Sequence, residues 1–163
     1  MSATVWSAAW FLPFVLPLCF WVAWSDLSRM KIPNRSVLLL LAVFLAIGLI
    51  ALPLETYLWR LAGAGIVFAV GVVLYSFGGI GAGDIKFAAA MAPFFDHGDL
   101  ANVMYLFAAV LLAAVATHQL ARHTPLRRIA PGWTSWQSRY FPMGLALTGT
   151  LAFYLILALR FGS

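Results

Sequence analysis

Acidic side chains are scarce in this 163-residue chain, five Asp and Glu against ten Lys and Arg. Cysteine is scarcer, with Cys19 alone, which excludes a disulfide framework and a cysteine-based zinc site. The three histidines, His97, His118 and His123, lack metal-ligand spacing. They read as residues at segment edges, so no metal and no cofactor is expected. Alternating polar and apolar residues over strand-length stretches are also missing, which excludes a β-barrel. No repeat of 20–50 residues and no low-complexity linker interrupts the chain, so a single membrane domain over 1–163 is expected. Charge of any sign is sparse as well: 9% of residues are charged and 64% hydrophobic, too apolar for a soluble domain.

What fills the sequence is long apolar runs: Val5 to Trp24, Val37 to Leu54, Leu61 to Phe77, Ile85 to Phe95, Ala101 to Leu120 and Phe141 to Leu159. A bilayer-spanning helix needs about 17–25 residues. Five runs qualify and the fourth is short. The expected fold is all-α, a polytopic membrane bundle of about six transmembrane helices. No Lys or Arg precedes the first run, so it reads as a retained helix rather than a secretory signal. Pro13 and Pro17 within it are expected to bend it, which a lipid-embedded helix tolerates.

With six crossings, Arg29, Lys31, Arg35, Lys86, Arg122, Arg127, Arg128 and Arg139 share one side, and only Arg60 and Arg160 the other. Cytoplasmic loops carry the excess of Lys and Arg, so the N-terminus is expected outside. The net charge of +5 then reflects topology, and no nucleic-acid partner is expected. The loop from Arg122 to Arg139 is expected to contact anionic membrane lipids. Trp6, Trp10, Trp21, Trp24, Trp59, Trp133 and Trp136 read as an interfacial belt. Gly63, Gly65, Gly71, Gly144 and Gly149 read as small residues that let helices pack closely.

Two aspartates stand apart, Asp26 after the first run and Asp84 before the fourth, 58 residues apart and on the same expected face. Each has a bland reading. Asp26 with Arg29 at i+3 could form a local ion pair, and Asp84 after Gly83 could be a helix N-cap. Together they suggest more, since ionisable groups beside hydrocarbon are costly. Two neighbouring carboxyls share one proton over a range of pH. The ionised one can then take a proton from water while the protonated one polarises a carbonyl, which is aspartic peptide hydrolysis. Gly78, Gly79, Gly81 and Gly83 clear side chains from the backbone before Asp84, either for a flexible turn or for a substrate backbone. Lys86 reads as a tuner of Asp84 or a ligand for lipid phosphate.

The run Gly81-Ala82-Gly83-Asp84 resembles the GxGD signature of membrane aspartyl proteases. With Ile85-Lys86 and the stretch Asp26-Leu27-Ser28-Arg29-Met30-Lys31-Ile32-Pro33-Asn34, it resembles the bacterial type IV prepilin peptidases. Pro142-Met143-Gly144 is a further, weaker match. The resemblance implies a catalytic pair, Asp26 and Asp84, supported by Gly81, Gly83, Lys86, Pro33 and Asn34. It implies removal of leader peptides from prepilins or pseudopilins at the cytoplasmic face of the bacterial inner membrane. Pilus assembly machinery is a further partner so implied. Larger members carry a cysteine-rich insertion between the first two helices and also N-methylate the product. Here Arg35 runs almost directly into the second helix, so peptidase activity without methyl transfer is expected. Two alternatives remain: a catalytically silent scaffold of a pilus or secretion system, and a small transporter, disfavoured by helix centres without ionisable groups.

Overall fold

The structure is a computed structural model that describes residues 1–78 and 80–163; Gly79 and the side chain of Leu126 lie outside the described part. Six α-helices follow one another: α1 (Val5–Arg29), α2 (Asn34–Ala51), α3 (Leu54–Ser76), α4 (Ala82–Met91), α5 (Leu100–His123) and α6 (Met143–Phe161). Short 3₁₀ turns occupy Ala92–Phe94, His97–Asp99, Pro125–Ile129 and Thr134–Trp136. No strand occurs among the described residues. Each expected apolar run contains one helix.

All but α4 are long and apolar enough to cross a membrane, and the chain is read as a multi-pass membrane protein. At 1.5 Å per residue, the ten residues of α4 cover only about 15 Å. The chain nevertheless traverses the bundle between Asp84 and Asp96. Asp96 pairs with Arg60 in the first turns of α3 at 2.6 Å. Asp99 accepts the backbone N–H groups of Ser2 and Ala3 at 2.8 and 3.0 Å. Both partners lie at the end opposite Asp26. Six traversals bring the two termini together, and the Ser163 N–H donates to the Ala3 carbonyl at 3.2 Å.

Local chemistry sets the helix ends. Thr4 caps α1 by accepting the Ser7 N–H at 3.2 Å. The helix runs through Pro13 and Pro17 and stops at Met30. Met30 adopts a left-handed conformation (φ 54°) while its N–H bonds the Asp26 carbonyl, a helix-ending geometry usually left to glycine. Pro33 cannot continue a helix from the preceding residue and instead starts α2. Ser25 Oγ donates to the Lys31 carbonyl at 2.8 Å, which ties the α1–α2 turn down.

The core is built around α1, which packs on α6 and α2, while α5 packs on α6 and α3 on α4. Phe11, Phe44, Tyr57 and Phe94 stack at its centre with ring centroids 4.9–5.8 Å apart, an arrangement favoured by edge-to-face and offset contacts. Large apolar side chains such as Leu38, Ile66, Phe68 and Leu112 remain exposed on the outer faces. Such extensive exposed apolar surface suits lipid rather than water. Two acidic residues at the end opposite Asp26 are tied to a buried tyrosine. The Tyr154 hydroxyl donates to Asp99 and accepts the Asp96 N–H, as buried polar groups require.

Candidate active site

Asp26 sits in the last full turn of α1 and is 5% exposed. Its Oδ2 accepts the backbone N–H of Gly144 at 2.7 Å. Gly144 is the second residue of α6, where backbone N–H groups have no partner inside the helix and the helix dipole is positive. The end of one helix is thus aimed at the carboxylate of another. A Cβ on Gly144 would lie 2.8 Å from Asp26 Oδ2 and 3.1 Å from its Cγ, so only glycine permits the approach. The expectation that Gly144 merely eases helix packing is therefore corrected.

Asp84 is the third residue of α4, whose N-cap is Gly81. Asp84 is not itself the cap. It occupies the third helical position, from which an acidic side chain reaches back toward the N-cap residue, here Gly81. Burial raises the Asp84 pKa above the ordinary carboxylate range, with the Gly81 N–H opposing the rise. A Cβ on Gly81 would stand 2.8 Å from Asp84 Oδ2. Upstream, Gly78 takes a positive φ of 74°, a turn that glycine makes without strain.

The two aspartates line one open cleft of about 890 Å³ at the same end of the bundle. Asn34, Gly81, Gly83 and Lys86 line the same cleft. Lys86 Nζ stands 3.5 Å from Asn34 Oδ1, and Gly83 packs on Ile32. Pro33 is not among the lining residues; it acts one step back, as the N-cap of α2. The Asp26–Arg29 ion pair, the alternative to a catalytic Asp26, does not form; among the described residues the ion pair is Arg60–Asp96.

The segment between α5 and α6 supplies lining that sequence reasoning missed: Ser138, Tyr140 and Phe141. It is pinned beside the cleft. Thr134 Oγ1 donates to the Ser28 carbonyl at 3.0 Å. Trp133 meets Trp24 edge to face at 5.2 Å, and Trp136 stacks on His118 at 5.0 Å. Trp136 and His118 are each 6% exposed, so neither is the interfacial residue expected from its place near a segment end. The aromatic run Trp133-x-x-Trp136 was the available signal. Among the described residues no group of three or more His, Cys, Asp or Glu converges as metal ligands would.

Comparison with known proteins bears on this arrangement. The profile of the type IV leader peptidase family matches residues 13–118, about two thirds of the chain, taking in both Asp26 and Asp84. The chain belongs to that family. It is also 35% identical over 113 residues to the prepilin leader peptidase/N-methyltransferase of Bacillus subtilis (strain 168), an alignment covering 64% of this chain and 44% of that protein. The chain therefore spans under half the length of this curated relative. No solved structure matches. In this leader peptidase family member, the family match ends before α6, and the bond from the Gly144 N–H to Asp26 is known from the structure alone.

Proposed function

We propose that this protein is a membrane aspartyl endopeptidase that removes leader peptides from prepilins or pseudopilins, with Asp26 and Asp84 as its catalytic pair. The observation that carries the proposal is the meeting of the two carboxylates in one cleft, from α1 and α4, at the same end of the bundle. Water held between them loses a proton to the ionised partner and attacks the scissile carbonyl. The protonated partner polarises that carbonyl and then returns a proton to the leaving amine. No covalent intermediate forms on the protein. The Gly144 N–H and the α6 terminus hold Asp26 Oδ2, which leaves the other carboxylate oxygen to the water.

Basic residues gather at the carboxylate end, including Arg29, Lys31, Arg35 and Lys86, and this charge bias supports a cytoplasmic cleft in the bacterial inner membrane. The N-terminus then lies outside. Arg122, Arg127 and Arg128 border a further open hollow of about 520 Å³, suited to anionic lipid headgroups. The curated relative is named for methyl transfer as well as cleavage. Here only residues 30–33 separate α1 from α2, leaving no insertion between them, and we propose peptidase activity alone. The test is mass spectrometry of a prepilin co-expressed with this protein. The expected product lacks its leader and carries an unmethylated N-terminus. A methylated product contradicts the restriction to proteolysis, and an intact prepilin in the presence of the folded protein contradicts the activity.

A further inference from the structure

The two ends of the Asp26–Gly144 hydrogen bond are also joined by a ladder of ring contacts. Trp24, two residues before Asp26, meets Trp133 edge to face at 5.2 Å. Trp133 stacks on Trp136 at 5.6 Å, and Trp136 stacks on His118 at 5.0 Å with the ring planes 20° apart. His118 then meets Phe141 at 5.8 Å with the planes nearly perpendicular. Phe141 stands three residues before Gly144. Between them Pro142, the N-cap of α6, has a φ of −70°, close to the one value that its ring allows. The placement of Phe141 is therefore passed stiffly into the first turn of α6, where the Gly144 N–H meets Asp26 Oδ2.

Trp133, Trp136 and Phe141 all belong to the segment between α5 and α6, and the ladder is anchored on helices only at Trp24 of α1 and His118 of α5. A histidine is a costly anchor. It is buried, and its Nε2 has no hydrogen-bond partner among the described residues; the same holds for Ser135 Oγ, beside Trp136. Stranding a buried polar atom lowers stability, and a leucine would fill the site without that cost. Leucine lacks a flat face. Rings hold one another in offset-parallel or perpendicular arrangements, and the imidazole makes one contact of each kind, with Trp136 and with Phe141. His118 does not line the carboxylate cleft, whereas Phe141 does, so any effect of the imidazole on the carboxylates passes through Phe141.

We propose that His118 is a positioning residue for the candidate active site: its ring clamps Trp136 and Phe141, and through Phe141 and Pro142 it fixes the Gly144 N–H on Asp26. For its effect on cleavage the inference rests on the peptidase reading; its effect on the Gly144 amide does not.

The test compares wild type with His118→Phe, which keeps a flat ring, and His118→Leu, which does not. Prepilin cleavage by the purified protein is measured beside thermal unfolding in micelles. Glycine-selective isotope labelling reports the Gly144 amide by NMR, assigned through its loss in Gly144→Ala. The expected result for His118→Leu is a kcat lower by about tenfold or more in a protein that unfolds no earlier than wild type. His118→Phe should recover most of that rate. The Gly144 amide proton, deshielded by its bond to a carboxylate, should move upfield in His118→Leu and hold its place in His118→Phe. Phe141→Leu, which leaves His118 intact and breaks the same link, should move the amide in the same direction. In the Gly144→Ala background His118→Leu should cost little further, because both act on one bond. An amide that stays in place in His118→Leu or Phe141→Leu overturns the proposal, as do equal kcat losses in the Leu and Phe variants of His118, or losses that multiply in the double variant. A shifted amide without cleavage by the wild type retains the positioning role and removes the peptidase reading. Cleavage by the wild type with an undiminished kcat in His118→Leu does the reverse.

Discussion

Replacing Gly144 by alanine isolates the contribution of α6 to the candidate site. The added Cβ would stand 2.8 Å from Asp26 Oδ2 and 3.0 Å from Asp26 Cβ, closer than side-chain carbons approach one another. Asp26 is 5% exposed and cannot swing into solvent, so its carboxylate must rotate or α6 must shift. Either movement lengthens the 2.7 Å bond from the Gly144 N–H. A hydrogen bond to a charged acceptor contributes about 1.5–3 kcal/mol. At about 1.4 kcal/mol per factor of ten, the expected loss in kcat/KM for leader removal is about 10- to 100-fold. The assay is the rate of prepilin cleavage by purified protein, read beside its thermal unfolding. Gly132→Ala, where a Cβ meets nothing within 4 Å, serves as the control with activity unchanged. Full activity in Gly144→Ala would refute the reasoning that α6 holds Asp26 in its working position.

Gly81→Ala acts on the partner carboxylate, since its Cβ would lie 2.8 Å from Asp84 Oδ2; cleavage should fall about tenfold or more, and an unaltered rate contradicts the close fit. Asp96→Asn leaves the Arg60 guanidinium, 3% exposed, without its ionic partner and should destabilise the fold by about 3 kcal/mol. Thermal unfolding in micelles checks this, with cleavage at low temperature retained because the pair lies opposite the cleft. Burial raises the Asp84 pKa, so the folded protein binds that proton more tightly than the unfolded chain. The stability it contributes is full below about pH 4 and fades as pH rises through the raised folded value. Asp84→Asn, which has no charge to desolvate, should therefore unfold at a higher temperature than wild type at pH 8, with the difference closing toward pH 4. Parallel unfolding profiles across that range contradict the burial argument.

The helical architecture was legible because apolar run length is a direct readout of bilayer thickness, and every run holds one helix. The short fourth run was legible as an anomaly. Its resolution, a ten-residue helix continued by a 3₁₀ turn at Pro93, depends on packing against α3 and α2 that run length does not encode. Asp26 and Asp84 stood out because carboxylates at the ends of apolar runs are rare and costly. The role of Gly144 was hidden, for a glycine near a helix start has the same local signature whether it eases packing or delivers an N–H to a carboxylate 118 residues away. Likewise Trp136 and His118 lie where an interfacial belt would, and only the folding of the α5–α6 segment onto Trp24 and α5 turns them inward. The alternative reading of Asp84 as a cap fails by three residues because Gly81, with no side chain to announce it, opens α4.

The central claim is that both carboxylates act in one hydrolysis, and the most direct measurement is the size of a co-expressed prepilin on a gel. Wild type, Asp26→Asn and Asp84→Asn are compared at equal membrane abundance. Leader removal by wild type and by neither variant is the predicted result. Complete processing by either Asn variant would contradict the paired-aspartate account.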